Sequence, residues 1–146
     1  MKDEFAAYLS SLFATDTVIF RVQQILDFYE GVCPEKIDDI FVSEYIKNDG
    51  NRELESLWLF SKGYLMEAKR FLIDDDFDIL PTTKNVRYCD IKKSEYDFKT
   101  TTEKSRLYVM YDAALPLKGE LKASKANCEA LKKIILKYLI PNLAVY

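Results

Sequence analysis

The chain has no histidine, and its 146 residues include only four glycines, four prolines, three cysteines and one tryptophan. The missing imidazole removes Ser-His and Cys-His nucleophile pairs together with every histidine-ligated metal centre. Glycines this few and scattered cannot form a phosphate-cradling loop, and no G-x-S-x-G, S-x-x-K, P-loop or G-x-G-x-x-G pattern occurs. Scarce Gly and Pro also argue against low-complexity or long disordered segments. An excess of positive charge is missing too. Lys and Arg total 21 against 24 Asp and Glu, a net charge of −3, so no broad positive field exists to attract nucleic acid.

Cys33, Cys89 and Cys128 are odd in number, widely separated and without a C-x-x-C pairing, and they read as reduced, buried thiols. The first residues, MKDEFAAYLSSLF, carry acids where a secretory signal carries bases, and no apolar run approaches the roughly 18 residues a membrane span needs. The expected location is cytoplasmic.

Little catalytic chemistry is left. A carboxylate pair could serve a glycosidase, yet no spacing singles one out among 24 acids. Asp74, Asp75, Asp76 and Asp78 could gather a hard cation, but the glycine and distal glutamate of a calcium loop are missing, so a solvated turn is the reading. Cys89 and Cys128 would need a stabilised thiolate to act as nucleophiles and are read as packing residues. The expectation is a non-enzyme with no cofactor and no bound metal.

What is present is apolar patterning: 49% of residues are hydrophobic, and aromatics include ten Tyr and nine Phe. Phe5, Tyr8, Leu9, Leu12 and Phe13 fall on one helical face, and Val18, Ile19, Val22, Ile25, Leu26 and Tyr29 repeat the spacing until Gly31 and Pro34 stop it. Residues 1–34 are thus a helical N-terminal extension, whose stripe packs on its own domain or supports self-association with a second chain.

After Pro34 the period becomes that of strands. Ile37 to Ile46 is followed by a turn at residues 48–51, then by Leu57-Trp58-Leu59-Phe60, apolar on both faces and so central in a sheet. Lys62-Gly63 turns into Tyr64, Met66 and Ala68. Val86 to Ile91, Tyr96 to Phe98, Leu107 to Tyr111 and Leu117 to Ala123 complete about seven antiparallel strands. Ser124 is the expected N-cap of a closing helix with Cys128, Leu131, Ile135, Tyr138 and Leu139 inward, ended by Pro141. Its lysines, Lys125, Lys132, Lys133 and Lys137, lie mostly on the other side. The expected class is α+β, with residues 35–146 forming a curled sheet or barrel capped by the C-terminal helix.

The stretch Leu57-Trp58-Leu59-Phe60-Ser61-Lys62-Gly63-Tyr64-Leu65, the segment Val86-Arg87-Tyr88-Cys89-Asp90-Ile91, and the closing Leu117 to Leu139 together resemble the pleckstrin-homology (PH) superfold. The likeness is to bacterial PH-like and GRAM-type domains rather than to phosphoinositide-binding members, whose first loop is richer in bases and whose closing helix usually carries Trp. It implies an intracellular adaptor that recognises a protein partner in a groove between the fifth strand, near Tyr96 and Phe98, and the closing helix. A second reading is a binder of anionic lipid or phospho-ligand at a peripheral membrane surface, through Lys47, Arg52 and Lys62. A third is a cone-shaped fold holding a small apolar ligand, with Phe60, Tyr88 and Tyr111 lining its cavity.

Overall fold

The computed structural model describes residues 1–12, 14–46, 52–76, 82–83, 85–113 and 118–143. Phe13, Lys47, the turn at 48–51 and Asp78 lie outside these residues. Helices α1 (Asp3–Ser11) and α2 (Asp16–Val32) come first, and the Thr15 hydroxyl accepts the Val18 N–H to cap α2. Strands β1 (Ile37–Ile46), β2 (Arg52–Ser61) and β3 (Tyr64–Lys69) form an antiparallel sheet with β2 in the middle. A two-residue β4 (Thr82–Thr83) pairs with Tyr64 and Leu65. The second sheet is β5 (Val86–Asp97), β6 (Thr102–Ala113) and β7 (Lys118–Ala123), in that order.

The two-faced composition of β2 decides the layering. Leu57 and Leu59 turn outward, where Val22, Ile25 and Tyr29 of α2 and Leu9 of α1 cover them. Trp58 and Phe60 turn inward against Val109, Tyr111 and Leu121 of the second sheet and against the C-terminal helix. One strand therefore feeds two cores, and both of its faces must be apolar. The helical stripe on which self-association was expected is buried within the chain itself: Leu9, Val22, Ile25 and Tyr29 are fully covered.

Two expectations change. Val86 to Ile91 and Tyr96 to Phe98 are not separate strands; they belong to the single twelve-residue β5, with a bulge between Ser94 and Tyr96 and with Phe98 in the turn beyond. The described strands are six of useful length plus the short β4. They also do not close into a barrel. Where β1 and β7 approach, the Ser43 hydroxyl stands between them, donating to the Glu120 carbonyl at 3.5 Å and accepting the Lys122 N–H at 3.0 Å. A side chain takes the place of a backbone ladder.

The closing helix is segmented. A 3₁₀ turn (Lys125–Asn127) leads into α3 (Cys128–Ile134), which widens to a π turn (Ile135–Leu139) before a 3₁₀ turn containing Pro141. Ser124 does not cap it with its side chain; its own N–H is instead held by the buried carboxylate of Glu44 at 2.6 Å. Asn127 fixes the start, donating to the Val42 carbonyl at 2.8 Å while accepting from the Tyr8 hydroxyl at 2.8 Å, and Tyr8 in turn accepts the Val42 N–H at 2.9 Å. This buried triangle ties α1, β1 and the helix entrance together. Among the described residues no helix is long and apolar enough to cross a membrane.

Candidate functional site

Arg52 and Lys62 stand at opposite ends of β2, so the rise of a strand sets them about 30 Å apart. They cannot share one ligand. Arg52 is moreover committed within the fold: its guanidinium reaches the Glu44 carboxylate on one side and the Leu12 carbonyl, at 2.7 Å, at the end of α1. Glu44 is completely buried, so an arginine held there is a structural counter-charge rather than a lipid contact. Lys62 is exposed, in a turn whose Gly63 N–H donates to Glu35 at 3.0 Å.

Of the aromatics expected to line a cavity, Phe60 and Tyr111 are packed in the core. Phe60 stacks on Tyr138 with ring centroids 4.7 Å apart and Tyr111 meets Trp58 edge-on at 5.6 Å, while Tyr88, 44% exposed, lines an open concavity of about 410 Å³ with Glu67, Met110 and Gly119. Burial pushes the thiols of Cys89 and Cys128 up, away from the thiolate a nucleophile requires. The acidic stretch beyond β3 is an anchor. Arg21 donates to the carbonyls of Phe71, Asp74 and Asp75 at 2.7, 2.6 and 3.0 Å, and no cluster of acids or thiols among the described residues is arranged to hold a metal.

The structure does bring one expected pair to a distinctive place. Strand β5 is the outer strand of its sheet, paired with β6 along its twelve residues and, on its other side, bridged to Leu143 at Val86. Register with Leu107, Val109 and Tyr111 of β6 puts Lys93, Ile91 and Cys89 on the inner face, beside the C-terminal helix. Cys89 joins the core there, whereas Ile91 stays 44% exposed. Helix and strand run antiparallel: Val86 bridges to Leu143 at one end, and Lys132 lies within electrostatic reach of Glu95 at the other. Between these ends Leu136 and Ile140, both exposed, follow Lys132 at four-residue steps. This edge of the domain thus carries exposed Ile91 on the strand, exposed Leu136 and Ile140 on the helix, and a Lys93–Glu95 ion pair of 2.6 Å. That pairing raises the Lys93 ammonium and lowers the Glu95 carboxyl.

Comparisons with protein-family models, curated protein sequences and solved structures find no match to this chain. Its own residues carry the functional argument.

Tyr96 and Phe98 extend the edge to the hairpin tip. Phe98 is 95% exposed, in a turn that is firmly built: Asp97 accepts the Lys99 N–H through its side chain at 3.0 Å and the Thr101 N–H through its carbonyl at 2.7 Å. The Lys99 amide, and after it Lys104, hold the Asp97 carboxyl below its ordinary value. Periodicity alone could not disclose that Leu136 and Ile140 stay exposed, because they read as ordinary helix positions.

Proposed function

We propose that this chain is a non-catalytic binding module of PH-like architecture that recognises protein by adding an extended partner segment to the free edge of β5. The observation that carries this reading is the contrast between two edges. At β1, the backbone groups of Val42 are taken by Tyr8 and Asn127, and Ser43 blocks β7, so the edge is covered by side chains. At β5 Val86 is bridged to Leu143, and residues 87–97 offer an edge with no strand beside it among the described residues. A partner strand laid there would gain backbone hydrogen bonds along its length, while Ile91, Leu136 and Ile140 supply apolar contacts for alternate side chains. The succession of a β1–β4 sheet, a β5–β7 sheet and a terminal helix supports the PH-like reading.

The test is capture from native cells with wild type and with Ile91→Asp and Leu136→Asp, followed by hydrogen–deuterium exchange on the purified complex. Expected are loss of the partner in both variants and slowed exchange at amides 86–97 with β1 and β2 unchanged. A partner retained by both variants, or one that leaves β5 exchange unaltered, would remove the proposal.

A further inference from the structure

The free edge of β5 carries a sequence that complements itself. Its pairing with β6 is regular from Tyr88 to Ser94, between irregularities at Val86/Tyr88 and Ser94/Tyr96, and Ile91 stands at the centre of that run. Asp90 and Lys92 flank it on the outer face, whereas Ile91 lies on the inner face between Cys89 and Lys93.

When two copies of a strand pair antiparallel about a two-fold axis, opposed residues share a face, so the axis passes through one residue and that residue meets its own counterpart. With the axis at Ile91, isoleucine meets isoleucine, Asp90 meets Lys92 in both senses, Cys89 meets Lys93 and Tyr88 meets Ser94. Just outside the regular run Arg87 falls opposite Glu95. No like charges oppose one another. Lys92 and Asp90 already lie 3.8 Å apart within one strand, and pairing adds an opposite-charge neighbour to each without breaking that contact, so the four charges alternate around a ring. Other registers lack this match. An axis at Asp90, Lys92 or Lys93 sets like charges against each other, one at Ser94 lies at the irregularity and sets Ile91 against Asp97, and one nearer Val86 runs into the place that Leu143 holds. Exposed Leu136 and Ile140 on the closing helix add apolar surface to the same edge of the domain.

We propose that strand addition at β5, on which this inference rests, takes β5 of a second copy of this chain as its segment, the two strands running antiparallel about a two-fold axis at Ile91 and joining two three-stranded sheets into one of six.

Sedimentation equilibrium on the intact chain tests it. A dimer with a Kd below about 100 µM is expected, weak because one strand edge buries little area. Asp90→Lys and Lys92→Asp each turn two opposite-charge pairs into like-charge pairs and should each raise the Kd about tenfold, while the double variant carrying both should return to within about threefold of wild type. Ile91→Cys should give, on mild oxidation, a disulfide joining position 91 of the two copies, identified by mass spectrometry. A chain that stays monomeric at about 500 µM overturns self-pairing and leaves strand addition by a different protein standing, to be decided by exchange at β5 in the captured complex. Self-pairing is also overturned by a dimer that both single charge variants leave intact, or by a double variant that does not recover.

Discussion

Replacing Arg52 by Ala is expected to cost this fold far more than a surface arginine should. The guanidinium spans two buried acceptors, the Glu44 carboxylate and the Leu12 carbonyl, and Glu44 in turn holds the Ser124 N–H at the entrance to the closing helix. Removing one partner from a buried ion pair costs about 3–5 kcal/mol, because the other charge stays desolvated. Arg52 retains 27% side-chain exposure, so water can partly replace it and the lower end, about 3 kcal/mol, applies. With a urea slope of about 2 kcal/mol/M, the unfolding midpoint falls by about 1.5 M, and the melting temperature by about 6–12 °C. Arg52→Lys recovers only part of this, since one ammonium cannot reach both acceptors as a fork does. The double variant Glu44→Gln with Arg52→Ala should be less unstable than the sum of the singles, by at least about 1 kcal/mol, because the buried charge is gone while the Gln carbonyl still accepts from Ser124. A loss below about 1 kcal/mol in Arg52→Ala would refute the reasoning and return Arg52 to the surface as a candidate lipid contact.

Three further outcomes follow from local geometry. Tyr8, Tyr111 and Tyr138 are all raised above the ordinary tyrosine range by burial and Tyr108 is pushed up to about 12, so the unfolded chain releases protons first as pH climbs; stability should hold below about pH 10 and then fall steeply, as read by circular dichroism and tyrosinate absorbance. Gly119→Ala places a methyl 2.4 Å from Tyr111 and 2.6 Å from Trp58 and should cost about 1–3 kcal/mol in urea unfolding, whereas Gly31→Ala meets nothing within 4 Å on α2 and should stabilise by up to about 1 kcal/mol. Phe98→Ser should change stability by less than about 0.5 kcal/mol, and a larger loss in the same assay would show that the tip is packed rather than presented.

The parts of the fold legible in the sequence are those where one residue's surroundings follow from its own neighbours. Leu57 to Phe60 announces a strand covered on both sides, and the i, i+3, i+4 spacing of Phe5, Tyr8, Leu9 and Leu12 announces a buried helix face, as found. β5 reads as two strands in the sequence for a reason of the same kind. Past Cys89 and Asp90 it is exposed along nearly its whole length, so Lys92, Lys93, Ser94 and Glu95 obey no inward alternation and resemble a loop. The role of Arg52 was illegible because its partners lie 8 and 40 residues away, and the role of Ser124 because Glu44, 80 residues away, takes its amide.

The same exposure that hides β5 from periodicity is what the proposed strand addition rests on. A strand exposed on most of its length, at a sheet edge, is an open template for pairing unless its edge is covered. This chain covers β1 with Tyr8, Asn127 and Ser43, three polar side chains placed from three different elements. At β5 it provides a bulge near the tip and an ion pair, both of which discourage indiscriminate pairing, yet it leaves Ile91, Leu136 and Ile140 exposed along the middle. Six of the twelve β5 residues are charged, which limits indiscriminate pairing, and Ile91 on the strand with Leu136 and Ile140 on the helix are the aliphatic exceptions. The apolar centre with guarded ends is what selective strand addition requires, since the backbone supplies affinity for any extended segment and only the flanking side chains decide which one is accepted.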